Sequence, residues 1–470
     1  MTQPVRIEHD LLGERAVPAG AYYGIHTLRA LENFPITGMP ISIYPDLVSA
    51  LACVKQAAAL ANQELGLIDA RRAQAIGLAC EEVRAGKLSG EFVVDVIQGG
   101  AGTSSNMNAN EVICNRALEL LGHARGEYQH LHPLDHVNLS QSTNDVYPTA
   151  VKLALQFGIR RLLTDMNLLR KAFEAKSAEF ADVLKVGRTQ LQDAVPMTLG
   201  QEFSTYAVML EEDELRLGEA ASLIREINLG ATAIGTGINA HPDYARLVTR
   251  RLSELAGVAF LVSPNLVEAT QDAGAFVQLS GVLKRIAVKL SKICNDLRLL
   301  SSGPRAGLGE IRLPPMQAGS SIMPGKVNPV IPEVVNQVAY QVIGNDLTVT
   351  LAAEAGQLQL NAMEPVLIFN VLQSIRMLTR AMAVLTDRCV VGIEADTARC
   401  AALIENSLVL ATALVPLVGY EAAAAIAKRA LATGRTIADV ALETGGLTRE
   451  QLELALKAEA MLGPDARTIR

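Results

Sequence analysis

Three stretches of the chain repeat apolar residues at intervals of three or four positions. They cover residues 155–173, 279–300 and 368–385. This spacing places the apolar side chains along one face of an α-helix, which has 3.6 residues per turn. The second stretch spans 22 residues, or about 33 Å of helix. Long helices with one apolar face need partners, so the pattern predicts a helix bundle, sealed within one chain or between subunits, and the helix length favours an oligomer.

The same pattern divides the chain into three predicted domains. Residues 1–142 mix short apolar runs with Gly and Pro and are predicted to form a mixed, mostly helical domain. Residues 143–398 contain the three long stripes and are predicted to form the central bundle. Residues 399–470 show the pattern of short helices and are predicted to form a small domain that caps the bundle. The expected fold class is therefore mainly α.

Composition and charge exclude several classes of protein. Half of the 470 residues are hydrophobic and 19% are charged, which is typical of a chain that forms a core. The net charge of −7 and the absence of Trp argue against a nucleic-acid partner. No secretory signal is expected, and the longest uncharged stretch near the C-terminus, residues 406–420, is too short to span a bilayer. We therefore expect a cytoplasmic protein with no membrane partner.

Neither the cysteines nor the group of His132, Asp135 and His136 has the spacing of a common metal site. The six cysteines are scattered and form no C-x-x-C pair, so we expect unpaired thiols in a reducing compartment. His132, Asp135 and His136 lie close together in the sequence, but their spacing matches no common set of metal ligands. No metal and no cofactor are expected.

Four polar segments between the predicted helices contain the candidate chemistry. They are residues 98–112, 132–150, 186–203 and 319–338. In the first segment, three glycines are followed by residues with hydroxyl side chains, and a helix is predicted from Glu111 onward. Free N–H groups at the start of a helix favour an anion. The third is predicted to be a loop followed by a helix. The fourth is rich in Gly and Pro and predicts a mobile lid, but Val327 stands where a phosphate-binding P-loop needs Ser or Thr.

Together these segments lack the residues that most enzyme classes require. They contain no G-x-S-x-G, no dinucleotide fingerprint and no metal triad. They supply hydroxyls, amides, one lysine and helix N-termini instead. Such a set suits a small molecule with two carboxylates and a reaction that needs proton removal without a cofactor.

Five motifs in these and neighbouring segments resemble the fumarase/aspartase superfamily, and more closely its aspartate ammonia-lyase branch. They are GTSSNMNANEV (102–112), HVNLSQSTNDVYPT (136–149), GRTQLQDAVPMTLGQEF (187–203), EINLGATAIGTGIN (226–239) and GSSIMPGKVNP (319–329). The branch is indicated by His26, where fumarases typically have Gln, by Thr143, where they usually have Ser, and by Gln190, where they usually have His. Leu134 departs from the family, because an Asn of an accessory carboxylate site is common at this position.

The resemblance implies three mostly helical domains in a homotetramer, with each active site built from segments of three subunits. It implies reversible anti-elimination of ammonia from L-aspartate, giving fumarate through an aci-carboxylate intermediate. Ser320 is the implied base and Lys326 its catalytic partner. The implied donors to the aci-carboxylate are Thr103, Ser142, Thr143 and Ser321. Lys326 and Asn328 are implied to bind the α-carboxylate, and the residues implied to surround the amino group are Asn144, Thr189 and Gln190.

Two alternatives remain at this point. Fumarate hydratase, which interconverts malate and fumarate, belongs to the same superfamily and uses the same kind of site. The second alternative is a catalytically inactive relative that serves as a lens or scaffold protein. The intact Ser320, Lys326 and Asn328 argue against the inactive relative.

Overall fold

The computed structural model describes residues 4–444, 446–457 and 461–462. The outermost residues of the predicted first and third domains therefore lie outside the described residues. Helices account for most of the described chain, which confirms the mainly α fold. In chain order they are α1 (Ile25–Asn33), α2 (Pro45–Glu64), α3 (Ala70–Arg84), α4 (Thr103–Leu120), α5 (Thr143–Glu179), α6 (Leu199–Leu223), α7 (Tyr244–Ala256), α8 (Leu266–Ala269), α9 (Gly274–Leu300), α10 (Val330–Glu354), α11 (Glu364–Arg388), α12 (Thr397–Glu405), α13 (Leu410–Val418), α14 (Tyr420–Thr433), α15 (Ile437–Glu443) and α16 (Arg449–Ala455).

The described strands form four two-stranded pairs. They are β1 (Val5–Asp10) with β2 (Gly13–Pro18), β3 (Leu184–Thr189) with β4 (Gln192–Thr198), β5 (Glu226–Ile227) with β6 (Leu261–Val262), and β7 (Ile311–Arg312) with β8 (Glu394–Ala395). All pairs are antiparallel except β5–β6. The β3–β4 hairpin corrects the prediction of a loop before α6. Gly187 and Pro196 weaken the strand pattern in this sequence, and packing of the buried Val186 against the C-terminal helices fixes the hairpin instead.

The contacts between residues divide the chain into two compact units, each assembled from three separate stretches. The first unit comprises Met1–Leu163, Leu215–Arg285 and Tyr340–Leu378. The second comprises Thr164–Glu214, Ile286–Ala339 and Thr379–Arg470. The division into three domains at residues 142 and 398 stays a prediction.

The three predicted apolar stripes lie on α5, α9 and α11, and their helices are confirmed. Every residue of the three stripes is buried, and the most exposed of them, Val282, reaches only 8%. The stripes are therefore already covered within one chain, and they leave little surface for a second subunit. The short helices predicted after Arg399 are also present, as α12 to α16.

One predicted helix start is wrong. The helix expected from Glu111 onward begins eight positions earlier, at Thr103. Gly102 precedes it in the left-handed conformation, with a φ of 89°. A side chain at this position would lie 2.3 Å from Cγ of Tyr147, so only glycine fits.

In the part of the chain that the structure describes, no single helix is long and apolar enough to cross a membrane. One bent pair, α12 with α13, reaches the required length and hydropathy when its two helices are combined. The two helices meet at 48°.

Candidate active site

One cavity of the first unit collects polar residues from two of the predicted segments. Its volume is about 710 Å³. Ser142 and Thr143, both predicted site residues, line it together with the amides of Asn106, Asn138 and Asn239. Hydroxyl and amide groups thus converge on a space of the size that small-molecule sites have.

A chain of hydrogen bonds fixes Thr143 at the start of α5. Its Oγ1 accepts a hydrogen bond from Asn106 Nδ2 at 3.0 Å. The same Asn106 Nδ2 donates to Asn138 Oδ1 at 3.2 Å. Lys55 Nζ donates to Asn138 Oδ1 and to Gln141 Oε1, both at 2.9 Å. The polar wall of the cavity is therefore attached to one ammonium group.

Lys55 was not predicted as a site residue. It lies on α2 with no exposed surface, and burial lowers its pKa while the charge of Asp145 counteracts the shift. Burial raises the pKa of Asp145, and hydrogen bonds from the backbone N–H groups of Ser142 and Thr232 at 3.1 and 2.8 Å oppose that shift. The sequence signal for Lys55 is a lysine inside the apolar run LACVKQAAAL, because buried lysines are rare unless they have partners.

A proline inside α5 leaves the backbone carbonyl of Asn144 without its helical hydrogen bond, and a side chain replaces that bond. Pro148 has no N–H to donate to the carbonyl of Asn144, four residues earlier. Asn228 Nδ2 takes that place and donates to the Asn144 carbonyl at 3.0 Å. Asn144 Nδ2 donates to the carbonyl of Ala233 at 2.7 Å, and Ala233 lines the cavity. Its side chain therefore anchors the cavity wall.

Thr103 lies at the N-terminus of α4, where an anion site was predicted. Thr103 is exposed, and its Oγ1 donates to the carbonyl of Gly100 at 2.7 Å. The backbone N–H of Ser105 donates to Gln98 Oε1 at 2.9 Å. One backbone N–H group at the start of α4 is therefore already bonded to another side chain of the protein. Thr103 does not line the cavity.

In the second unit, Thr189 and Gln190 lie at the tip of the β3–β4 hairpin. Thr189 pairs with Gln192, and the turn consists of Gln190 and Leu191. Both turn residues are exposed and adopt the left-handed conformation, with φ of 54° and 60°. Neither is glycine, so the turn stores roughly 1–2 kcal/mol per residue. Positive φ at both central residues is the geometry that a two-residue hairpin turn of type I′ requires, so the turn fixes this strained backbone.

A buried charge cluster anchors the base of this hairpin. Glu310, which has no exposed surface, accepts a hydrogen bond from Arg188 Nη1 at 2.8 Å. Its second carboxylate oxygen lies 3.2 Å from Lys185 Nζ, and Lys185 forms a further ion pair with Glu202. Asp193 of β4 accepts a hydrogen bond from Ser407 of the C-terminal region. These contacts therefore fix the two strands that carry the hairpin tip.

Residues 319–329 of the segment predicted as a lid form a loop that closes on itself, and α10 follows from Val330. The backbone N–H of Gly319 donates to the carbonyl of Lys326 at 2.8 Å. Asn328 Nδ2 donates to the carbonyl of Gly319 at 2.8 Å. A Cβ atom on Gly319 would lie 2.5 Å from the carbonyl oxygen of Lys326, so glycine is required at this close approach.

Ser320 occupies a distinct electrostatic environment within the loop. Its Oγ accepts hydrogen bonds from the backbone N–H groups of Ile322 and Met323, at 3.2 and 2.9 Å. Two donors aimed at one hydroxyl oxygen favour negative charge on that oxygen. Ser320 is half-buried, whereas Ser321 and Lys326 are exposed. The Lys326 ammonium group makes no ion pair with any residue that the structure describes.

The predicted site residues fall into two sets. The first unit contains Thr103, Ser142, Thr143 and Asn144, and the second contains Thr189, Gln190, Ser320, Ser321, Lys326 and Asn328. Of these, the structure brings Ser142 and Thr143 together in one cavity, and the side chain of Asn328 closes the loop that also contains Ser320. Their catalytic roles stay predictions.

His132 caps the helical turn of the second polar segment, and His136 lies within that turn. His132 Nδ1 accepts hydrogen bonds from the backbone N–H groups of Leu134 and Asp135, at 3.2 and 3.3 Å. His136 Nδ1 accepts one from the N–H of His132 at 2.9 Å. These bonds hold the π-helical turn Pro133–Val137, which leads into the cavity wall.

Two models of known protein families match this chain. A family model described as "Lyase" matches residues 13–344, and one described as "Fumarase C C-terminus" matches residues 410–463. The chain belongs to this lyase family. The predicted resemblance to the fumarase/aspartase superfamily is thereby confirmed.

Individual relatives match the lyase over nearly its full length. The aspartate ammonia-lyase of Pseudomonas fluorescens is 60% identical over 460 residues, which are 98% of this chain and 96% of that protein. A crystal structure described as fumarate lyase:delta crystallin from Brucella melitensis bound to cobalt has a TM-score of 0.96 at 60% identity, and the match covers 98% of this chain and 100% of that one. The recombinant class II fumarase of Schistosoma mansoni has a TM-score of 0.93 at 35% identity, covering 99% and 100%. The lyase therefore shares its fold with both solved structures, and it shares more of its sequence with the first two proteins than with the class II fumarase.

Proposed function

We propose that this lyase is an aspartate ammonia-lyase, which converts L-aspartate to fumarate and ammonia reversibly. The observation that carries the proposal is the 60% identity to the Pseudomonas fluorescens aspartate ammonia-lyase over 98% of this chain. The polar cavity and the Ser320 loop supply neutral donors and the exposed ammonium group of Lys326. These groups suit a substrate with two carboxylates.

Ser320 is the base in this proposal. Its oxygen removes a proton from C3 of aspartate, and the electrons of the C–H bond move into the neighbouring carboxylate. A serine hydroxyl is a weak base at its ordinary pKa, so it acts as an alkoxide. The N–H groups of Ile322 and Met323 support that charge, as does Lys326 on the same loop.

The resulting aci-carboxylate carries two negative charges and needs donors that are already in place. Thr103, Ser142, Thr143 and Ser321 are the proposed donors. Each contributes roughly 3 kcal/mol, as single oxyanion-hole donors do. The network from Lys55 through Asn106 keeps the Thr143 hydroxyl oriented before the substrate arrives.

Collapse of the aci-carboxylate then completes the elimination. Its electron pair forms the carbon–carbon double bond as the C–N bond breaks, and the proton on Ser320 returns to solvent, where ammonia takes up a proton. Lys326 and Asn328 hold the α-carboxylate. Asn144, Thr189 and Gln190 surround the leaving amino group. The amino group of aspartate binds as an ammonium ion and departs as neutral ammonia when the C–N bond breaks, so no acidic side chain is needed for this step.

Fumarate hydratase is the second candidate, supported by the similarity to the Schistosoma mansoni class II fumarase. The two activities are separated by following the ultraviolet absorbance of fumarate with aspartate and then with malate. We expect a higher kcat/KM for aspartate. A kcat/KM for malate that equals or exceeds it would overturn the proposal.

The role of Ser320 is tested by Ser320→Ala, with Ser321→Ala as the matched variant on the neighbouring hydroxyl. Loss of the base should lower kcat at least ~10³-fold, while loss of one donor should lower it about 10²-fold. Binding of succinate, measured by calorimetry, should change little in Ser320→Ala. If Ser320→Ala keeps more than about a tenth of the kcat, the base is another group.

The homotetramer with composite sites is also part of this proposal. An apolar stripe on α10 supports it, because Tyr340, Ile343, Leu347 and Leu351 are exposed by 59, 38, 61 and 61%. These residues repeat at intervals of three and four, so they form one uncovered face of a long helix.

Light scattering should give about four times the 50.1 kDa chain mass. Leu347→Glu should dissociate the assembly and abolish activity, because the site needs more than one subunit. Leu11→Glu is the control, since Leu11 is 94% exposed on the β1–β2 turn. An active monomer would contradict the composite site.

The three-domain division into residues 1–142, 143–398 and 399–470 and a cytoplasmic location complete the proposal. All six cysteines are buried and unpaired, and this arrangement is typical of proteins from reducing compartments. Limited proteolysis near residues 142 and 398 would test the domain boundaries.

A further inference from the structure

Two histidines and a glutamate lie close together in the loop that follows α4. Among the residues that the structure describes, His123, Glu127 and His130 are the one group of at least three His, Cys, Asp or Glu side chains whose ligand atoms all lie within 4.8 Å of one another. We propose that these three side chains bind one divalent transition-metal ion of the Co²⁺, Ni²⁺ or Zn²⁺ type.

The donor set selects this class of ion. Imidazole nitrogens suit Zn²⁺, Ni²⁺ and Co²⁺, and two imidazoles with one carboxylate form a common three-ligand set for such ions. Mg²⁺ and Ca²⁺ prefer sites made of oxygen ligands. Water molecules would fill the remaining positions, because His130 is exposed.

The ligand atoms are close to the spacing that an ion requires. His123 Nδ1 lies 3.6 Å from Glu127 Oε2. Ligand atoms at about 2.0–2.1 Å from a tetrahedral ion lie about 3.3 Å from one another. The distances between the ligand atoms therefore need to shorten by at most ~1.5 Å, and rotation of the side chains can supply this change.

One ring has to turn when the ion binds. The imidazoles of His123 and His130 are stacked, with centroids 3.7 Å apart and planes 8° from parallel. A ring nitrogen binds a metal in the plane of its own ring, and two nearly parallel planes at this distance share no such point. The exposed His130 ring has the space to turn about its Cβ–Cγ bond.

The loop that holds the three ligands is anchored on both sides of Glu127. Arg125 Nε donates to Glu119 Oε1 at 2.7 Å, and its guanidinium group lies 3.6 Å from the centre of the Tyr22 ring. The Tyr128 hydroxyl donates to Glu8 Oε1 at 3.0 Å. These anchors fix the backbone, so binding an ion orders side chains only and costs little entropy.

Hydrogen bonds hold the Glu127 carboxylate and the backbone of His130. The backbone N–H of Ala124 donates to Glu127 Oε2 at 2.9 Å, which holds this carboxylate beside His123. Arg72 Nε donates to the carbonyl of His130 at 2.7 Å, and the N–H of His130 donates to the carbonyl of Glu127. Both bonds involve only backbone atoms of His130, so its ring stays available.

None of the three ligands lines the polar cavity. We therefore expect the ion to stabilise the loop before the π-helical turn and not to be needed for turnover. Chelator-treated protein should keep its aspartate deamination, whereas binding of the ion should raise the Tm. This outcome separates the metal site from the proposed function, since either can fail without the other.

The experiment uses tag-free full-length protein that has been dialysed against a chelator and then titrated with CoCl₂. Calorimetry and the visible absorbance of Co²⁺ should show saturable binding of one ion per chain. His123→Ala and His130→Ala should each weaken binding ~10-fold or more, because even the loss of a group behind a metal ligand costs 10–100-fold.

His9→Ala is the matched control, since His9 is exposed on β1 and outside the group. It should bind Co²⁺ with wild-type affinity, and an excess of Mg²⁺ should not compete. The proposal is overturned if binding is not saturable, if His130→Ala binds Co²⁺ as tightly as wild type, or if His9→Ala weakens binding equally. His130→Ala decides the matter because an exposed side chain does not contribute to the core.

Discussion

The substitution Glu310→Gln tests whether the buried charge cluster positions the β3–β4 hairpin. Glu310 has no exposed surface, and its two carboxylate oxygens contact Arg188 at 2.8 Å and Lys185 at 3.2 Å. The side chains of Arg188 and Lys185 are themselves only 14% and 3% exposed. Gln has nearly the same size as Glu and removes the charge, so both cations lose a counter-charge in a largely dry environment.

The expected magnitude follows from the remaining contacts. Removal of one partner from a buried ion pair costs about 3–5 kcal/mol. Lys185 keeps its ion pair with Glu202, so the loss falls mainly on Arg188, and we expect the lower end, about 3 kcal/mol. Arg188 directly precedes Thr189, and a shift of about 1 Å in a substrate-positioning group can cost ~10²-fold in rate. We therefore expect kcat/KM for aspartate to fall about 10- to 100-fold.

Thermal unfolding and steady-state kinetics with aspartate measure both effects. Glu202→Gln is the matched control, because Glu202 is 20% exposed and Lys185 then keeps Glu310. It should lower the unfolding free energy by no more than about 1 kcal/mol and leave kcat/KM nearly unchanged. The reasoning is refuted if Glu310→Gln matches Glu202→Gln in both stability and kcat/KM.

Three further predictions concern stability. Burial raises the pKa of Glu364 from 4.5 to about 8, so its contribution to stability is complete below about pH 4.5 and is lost as the pH rises through about 8. As the pH rises from about 5 to 8, the Tm of Glu364→Gln should therefore increase relative to the Tm of wild type. A difference in Tm that stays constant or falls over this range would contradict the prediction. Leu191→Gly should raise the unfolding free energy by about 0.5–1 kcal/mol because it relieves the left-handed turn, and a lower value in denaturant titration would contradict that strain. Gly102→Ala should cost about 2 kcal/mol more than Gly100→Ala, since both have a φ of 89° but only the first places a Cβ against the Tyr147 ring. Equal costs in calorimetry would mean that Tyr147 moves aside.

The long helices and part of the site could be predicted from the sequence. The stripes that identified α5, α9 and α11 consist of apolar residues three and four positions apart. Contacts between such residues are local, so the sequence alone reveals them. Ser142 and Thr143 were predicted from one continuous motif, and they do line one cavity. The N-terminus of α4 was misplaced because buried polar residues such as Asn106 and Asn108 interrupt the apolar repeat that marks a helix.

Only the tertiary structure decided the rest, because the contacts involved are distant in sequence. Lys55 meets Asn138 across 83 residues, and no periodicity links the two positions. Arg188 meets Glu310 across 122 residues, so the hairpin could not be separated from a loop by its own weak strand pattern. His123 and His130 face each other because the Arg125 and Tyr128 anchors fold the loop between them. The sequence alone determined which residue types were available and which helices form, whereas long-range packing determined which of those residues lie together.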